Sequence, residues 1–128
     1  MVAPRYHRVM NDRVDLAEKI GLLERPYAPG VVGSYNDNKL VVVRVLGEFV
    51  WHKHEDTDDF FLVLKGRLTI QLRERDVELS EGQLFVVPRG VEHCPKACEE
   101  AHVLLIERSG KVNTGDAGGQ LTVEPVEI

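Results

Sequence analysis

Two histidines one residue apart, His52 and His54, lie in the stretch WHKHEDTDDFF at residues 51–61 and are followed at once by four acidic residues. Residues two apart point to different sides of a helix but to the same face of an extended strand. The flanking runs LVVVRVLGEFV and FFLVLKG are short and rich in β-branched and aromatic residues, which favours strands. We therefore expect both imidazoles to project together from one strand end, where they can bind a metal ion.

A third histidine, His93, ends the stretch GQLFVVPRGVEH. Pro88 and Gly90 predict a turn that returns the chain to the end of the sheet that carries His52 and His54. Three imidazoles and one carboxylate can then converge. Imidazole ligands favour iron, nickel, copper and zinc, and a carboxylate adds tolerance for manganese.

The elements that must position these histidines are predicted to be mostly strands. Short apolar or alternating segments separated by turn residues predict strands at 39–50, 60–65, 67–73, 76–79, 83–88 and 101–107. Many short strands joined by tight turns are typical of a sandwich or small barrel. A short helix is expected before them, capped by Asn11, and the tail LTVEPV is expected to form an edge strand.

Composition narrows the function classes. A chain of 128 residues with 43% hydrophobic residues fits one globular domain. A net charge of −5 without a basic stripe argues against a nucleic-acid partner. No apolar run approaches the roughly 20 residues that span a bilayer, so we expect no membrane partner and a cytoplasmic location. Cys94 and Cys98 are too few for a disulfide framework and are interpreted as reduced thiols, with a redox or metal role as the alternative.

The two histidine stretches resemble the two motifs of the cupins. The first motif, a glycine followed by HxH, a glutamate and a second glycine, is similar to GEFVWHKHEDTDDFFLVLKG from Gly47 to Gly66, with four residues before His52 where the family usually has five. The second, GxxxxxPxGxxH, is matched from Gly82 to His93, although Ala97 replaces the family's later asparagine. The resemblance covers residues 38–116 and is greatest to small single-domain bacterial cupins.

This resemblance implies an all-β fold: a cupin barrel, also called a jelly roll or double-stranded β-helix, which the short helix predicted above would precede. Residues 1–37 would form the helix and an extended arm on the barrel, residues 38–116 the barrel, and residues 117–128 a tail or edge strand. It also implies a divalent metal ion (iron, manganese, nickel or zinc) bound by His52, His54 and His93. Asp59 stands where the family has glutamate, and it is shorter by about 1.5 Å of reach. It is expected to bind through a water, or directly if the backbone moves inward.

Three further residues are candidates for a substrate pocket. Phe61 shares the inward face of Asp59 and should line the barrel. Arg44 shares the face of His52 if the strand between them has no bulge, and can then hold a substrate carboxylate; a bulge near Gly47 would leave it exposed. His102 is the third candidate.

Two functions remain open at this point. The resemblance implies a metal-dependent enzyme acting on a small polar molecule, either a dioxygenase or an isomerase. The alternative is a non-catalytic protein that binds or senses a small ligand in the same cavity. We also expect a homodimer, because LVVVRV is apolar on both faces and one face can meet a second subunit.

Overall fold

The computed structural model describes residues 12–110 and 113–128. Its elements are one short helix and eight strands: α1 Leu16–Ile20, β1 Gly30–Tyr35, β2 Asn38–Glu48, β3 Asp59–Lys65, β4 Leu68–Leu72, β5 Asp76–Leu79, β6 Leu84–Val87, β7 His93–Arg108 and β8 Val126–Glu127. The expected all-β fold with a short N-terminal helix is confirmed.

The long strand β7 organises the sheet. Its first residues, from His93 to Lys96, pair antiparallel with β4. Its later residues pair with β2 on one side and with β3 on the other. Strand β6 continues the sheet beyond β3, and β5 continues it beyond β4. Because one strand serves both halves, its start at His93 is fixed relative to β3, where Asp59 lies.

The apolar side chains form two clusters on opposite sides of the sheet. The larger cluster fills the inside between the strands and contains Val43, Val45, Phe61, Val63, Leu68, Ile70, Leu79, Val87, Ala97, Ala101 and Val103. The smaller cluster packs α1 against the outside of β2 through Ile20, Leu23 and Val42, with Leu104 and Ile128 beside them. Strand β2 is therefore buried on both faces within one chain. This removes the reason for which a second subunit was expected to cover it.

Some boundaries differ from the prediction. Helix α1 begins after Asp15, whose side chain accepts a hydrogen bond from the Glu18 amide, while the expected cap Asn11 lies outside the described residues. Strand β1 was expected to be an extended arm but pairs with β2. Strand β7 includes the segment from His93 to Glu100, which lay between the strands predicted at 83–88 and 101–107. This segment is rich in polar residues, so its sequence pattern did not indicate a strand. Its pairing with β4 and β2 makes it part of the sheet.

No helix among the described residues is long and apolar enough to cross a bilayer.

Candidate metal centre

His52 and His93 are held side by side by the backbone. The His52 amide donates to the His93 carbonyl and the His93 amide donates to the His52 carbonyl, both at 2.9 Å. The two residues form an isolated antiparallel bridge, so their side chains leave the backbone on the same face. His54 is tied to the turn before His93, because its carbonyl accepts a hydrogen bond of 2.7 Å from the Gly90 amide. The turn predicted at Pro88 and Gly90 thus brings the two histidine stretches together.

The orientation of two imidazoles is set by backbone carbonyls. Nδ1 of His52 lies 2.9 Å from the Val50 carbonyl, and Nδ1 of His93 lies 2.9 Å from the Val91 carbonyl. A carbonyl only accepts, so each Nδ1 carries the proton and donates it. Each Nε2 therefore faces the centre of the cluster. Metal-binding histidines are commonly held in this way, with the other ring nitrogen donating to a carbonyl.

The carboxylate of Asp59 lies between the three imidazoles. Its Oδ2 is 2.8 Å from Nε2 of His93, 3.4 Å from Nε2 of His54 and 3.9 Å from Nε2 of His52. Although it is shorter than glutamate, the Asp59 side chain therefore reaches His93 directly. The short contact with His93 requires a proton on one of the two groups, because Nδ1 of His93 already donates elsewhere.

The distances in this cluster fit a bound metal ion. One ligand atom from each of His52, His54, Asp59 and His93 can be chosen so that all lie within 4.8 Å of one another. Ligand atoms bonded at about 2.1 Å to one ion lie roughly 3.0 to 4.2 Å apart, depending on the angle between them. The measured separations require only small side-chain movements to satisfy this geometry. The cluster can hold a divalent ion such as iron, manganese, nickel or zinc.

The electrostatics of the cluster keep its carboxylate ionised and one of its imidazoles neutral. Burial alone would raise the pKa of Asp59, but the nearby imidazoles of His54 and His93 outweigh it and hold the pKa at about 2. Burial lowers the pKa of His52 to about 4, so this imidazole is neutral near pH 7. Burial also acts to lower the pKa of His54, but the Asp59 carboxylate raises it above the usual value. An ionised carboxylate and a neutral imidazole are the forms that bind metal.

Comparison with known proteins agrees with this geometry. The family model described as a cupin domain matches residues 39–107, which is more than half of the chain. The chain belongs to the cupins. The resemblance found in the two histidine motifs is thus confirmed.

Two curated proteins and one solved structure are similar to this chain. An uncharacterized protein, YdbB of Bacillus subtilis, is 30% identical over 77 residues, which are 59% of this chain and 68% of that protein. The 3-hydroxyanthranilate 3,4-dioxygenase of Caenorhabditis elegans is 31% identical over 61 residues, which are 44% of this chain but only 22% of that enzyme. A crystal structure of a cupin-2 domain containing protein from Shewanella frigidimarina is 40% identical, with a TM-score of 0.73 over 74% of this chain and 93% of that one.

Aromatic rings pack around the ligand set of this cupin. The ring of Phe49 meets the ring of His52 edge-on at 5.5 Å, and Tyr27 stacks on Phe49 at 4.8 Å. Phe61 meets His93 edge-on at 6.0 Å between ring centroids. The Tyr27 hydroxyl donates to the Gly47 carbonyl at 2.6 Å, which ties the segment before β1 to the barrel end. These contacts restrict the rotation of His52 and His93.

A C-terminal turn, residues 113–116, is hydrogen-bonded to the backbone of Lys53, which lies between His52 and His54. The Lys53 amide donates to Oδ1 of Asp116 at 2.9 Å, and the Asp116 amide donates to the Lys53 carbonyl at 3.2 Å. Gly115 lies so close that a Cβ there would be 2.3 Å from the Lys53 carbonyl oxygen and 3.1 Å from Cδ2 of His52. Sequence reasoning did not assign this turn a role. The only signal for it was the resemblance of this stretch to other small cupins.

The cluster lies at the wall of a cavity inside the barrel. Apolar side chains, including Val43, Val45, Phe61 and Leu105, form much of the lining. The centres of water-sized molecules can occupy about 60 Å³ of the cavity, several times the ~10–15 Å³ that one water needs. Phe61 was expected in this lining and lies there.

Glu107 is a cavity residue that sequence reasoning missed. It is partly buried in the lining, and burial, with the charge of Asp59, raises the pKa of its carboxyl to about 7. Its Oε1 is buried without a hydrogen-bond partner, and it is the one such side-chain atom in the part of the chain that the structure describes. The available signal was an acidic residue at the end of the apolar strand HVLLIE, on the same alternating face as Val103 and Leu105.

The other two pocket candidates lie elsewhere. The register of β2 shifts between Val45 and Gly47, so Arg44 does not share the face of His52. The Arg44 guanidinium instead bonds Oε1 of Glu100 and the Leu23 carbonyl, both at 2.8 Å. His102 bonds the other carboxylate oxygen of Glu100 at 2.8 Å. Neither Arg44 nor His102 lines the cavity.

The two thiols are separate from the metal cluster. Cys94 is buried, and burial raises the pKa of its thiol to about 11, so it stays protonated. Cys98 is exposed. The thiolate form binds metal, and neither thiol belongs to the ligand set found among the described residues.

Proposed function

We propose that this cupin is a metal-dependent enzyme that oxygenates a small molecule in the barrel cavity. The observation that carries the proposal is the convergence of His52, His54, Asp59 and His93 beside an apolar cavity, which the first three of them line. Four ligands leave coordination positions for substrate on an ion that prefers five or six. A purely structural metal site is instead usually closed by its protein ligands.

The residues of the site would have three separate roles: binding the metal ion, orienting the imidazoles and excluding water. The three imidazoles and Asp59 would hold the ion, and a redox-active ion such as iron would supply the chemistry that activates dioxygen. Carbonyls at Val50 and Val91 keep two imidazoles oriented before any ligand arrives. The apolar lining from Val45, Phe61 and Leu105 excludes water, which strengthens polar interactions within the cavity.

Oxygenation is favoured over isomerisation by the sequence comparison. A curated relative that is named for its reaction, the 3-hydroxyanthranilate 3,4-dioxygenase of Caenorhabditis elegans, matches this chain at 31% identity over 61 residues. That match spans 22% of the enzyme, so it supports the type of chemistry and leaves the substrate open.

Metal content provides the first test. Protein purified without chelator or affinity tag should contain close to one equivalent of a first-row divalent metal by elemental analysis. The double variant His52→Ala, His93→Ala should lose it, and so should the milder His54→Gln. His102→Ala is the matched control, because His102 lies outside the cavity, and it should keep its metal. Equal metal content in all four proteins would contradict the proposal.

Oxygen uptake provides the second test. Iron-loaded protein is mixed with a panel of small phenols, enols and thiols while dissolved oxygen is recorded. Uptake that depends on both iron and one compound supports an oxygenase. Saturable binding of compounds without uptake would favour the alternative, a cupin that binds a small ligand without catalysis.

A further inference from the structure

Glu107 carries a free hydrogen-bonding atom in an otherwise satisfied cavity. The polar side chains that line the cavity away from the metal cluster have partners in the chain. The Tyr27 hydroxyl donates to the Gly47 carbonyl. The Asn113 side chain bonds the backbone of Leu121 and Val123. The Asp58 carboxylate accepts from the Arg89 amide. Oε1 of Glu107 has none, although it is buried. A buried polar oxygen without a partner costs free energy, and a bound molecule can recover it.

The position of Glu107 places this oxygen near the metal ligands but outside their set. Strands β3 and β7 are antiparallel, and Phe60 is opposite Ile106. Continuing that register puts Asp59 opposite Glu107, so the two side chains lie on the same face of neighbouring strands. Glu107 is nevertheless not one of the four groups whose ligand atoms converge. A small molecule bound at the metal would therefore extend towards Glu107.

The charges around the cavity decide what kind of group Glu107 can receive. Asp59 and Glu107 are both acidic, and the one arginine in the lining, Arg108, is exposed and donates to the Asp56 carbonyl. Arg44, which would have offered a carboxylate site, is bound to Glu100. Apart from the histidines of the metal cluster, no cationic side chain of this lining is free to neutralise an anionic group. Lys39 lies opposite Glu107 on β2 but is not part of the lining. A carboxylate oxygen, in contrast, readily accepts from a hydroxyl or amino group.

We propose that Glu107 is a specificity-determining residue, which hydrogen-bonds a hydroxyl or amino group of the bound small molecule and disfavours molecules that carry a carboxylate at that point. This inference rests on the proposed use of the cavity as a small-molecule site. It narrows the substrate class to small, largely apolar, uncharged molecules with a hydrogen-bond donor a short distance from the metal-binding end.

Two probes of nearly equal shape test this assignment. Benzyl alcohol and benzoate share one ring, and they differ in having a hydroxyl donor or a carboxylate. Binding of each is measured at about pH 8 by calorimetry or ligand-observed NMR, with zinc-loaded protein because zinc has no redox chemistry. The wild type is compared with Glu107→Gln, Glu107→Asp and the control Glu99→Gln, which removes the same charge from an exposed position on β7.

In Glu107→Gln, the benzoate affinity should rise at least tenfold, because a like charge is removed from a partly buried site. The benzyl alcohol affinity should fall severalfold, because an amide is a weaker acceptor than a carboxylate. Glu107→Asp should keep the discrimination against benzoate while it loses affinity for the alcohol. Glu99→Gln should behave as the wild type.

Changes of less than twofold in Glu107→Gln, or equal changes in Glu99→Gln, would overturn the assignment. The absence of saturable binding of either probe to any of these proteins would also overturn it. Titrations of the metal-free proteins separate this result from the proposed function, because Glu107 is outside the ligand set. If zinc fails to bind but the benzoate effect persists, the metal proposal fails and the role of Glu107 stands.

Discussion

Gly115 offers a sharp test of how the metal ligands are positioned. Its φ is +56°, and an added Cβ would lie 2.3 Å from the Lys53 carbonyl oxygen. Such contacts are not found below 3.0 Å, so Gly115→Ala must move the turn and the Lys53 backbone apart by roughly 0.7 Å. Metal–ligand distances tolerate errors of only about 0.2 Å. Because Lys53 lies between His52 and His54, this displacement should disturb both ligands.

The expected magnitude comes from comparison with Gly118. Its φ is +64°, but an added Cβ would meet nothing within 4 Å. Gly118→Ala should therefore cost only the backbone strain, about 1–2 kcal/mol. Gly115→Ala should cost that strain plus the clash, roughly 1–3 kcal/mol more. Loss of support for a metal ligand typically lowers metal affinity by about 10–100-fold, whereas Gly118→Ala should leave the affinity unchanged.

Two measurements check these values. Urea denaturation of the metal-free proteins gives the free energies of unfolding, and zinc titration in competition with a chromophoric chelator gives the affinities. Circular dichroism verifies that both variants are folded before titration. If Gly115→Ala and Gly118→Ala match in both stability and zinc affinity, the turn at residues 113–116 does not position the ligands and the reasoning is refuted.

Three other predictions follow from the site and the surface. Because the pKa of Glu107 is raised from 4.5 to about 7, its contribution to stability is present below about pH 4.5 and is lost as the pH rises towards 7. At about pH 8, metal-free Glu107→Gln should therefore be more stable than the wild type by up to about 3 kcal/mol, and an unchanged pH profile in urea denaturation would contradict this. Zinc affinity should fall as the pH drops from about 8 to about 5, because His54 takes up a proton that competes with the metal. Asp59 raises the pKa of His54, whereas His52, with a pKa of about 4, stays neutral over this range. Calorimetry in two buffers of different ionisation enthalpy should also detect proton release on zinc binding, and its absence would argue against protonated groups in the free site. The expected homodimer stays a prediction, now based on the exposed side chains of Leu84 and Val86 on β6. Light scattering should show a dimer for the wild type and a monomer for the double variant Leu84→Lys, Val86→Lys. A monomeric wild type would exclude the homodimer.

The sequence alone determined the candidate ligand histidines and the type of fold. Short apolar segments separated by turn residues predicted the strands. The positions of His52, His54 and His93 in two sequence motifs predicted that their side chains converge. These features are local, because side chains alternate along a strand and a turn reverses it over a few residues. The same local rule placed Phe61 on the inward face, where the structure has it.

Only the tertiary structure decided the remaining parts of the site. Whether Arg44 faces the cavity depended on a register shift between Val45 and Gly47, and one such shift reverses every face beyond it. Three features arise where segments distant in the chain meet. They are the contact of Asp59 with His93, the unpaired oxygen of Glu107 and the close approach of Gly115 to Lys53. Periodicity fixes the face of a side chain within one strand, but the pairing of strands fixes what lies opposite it.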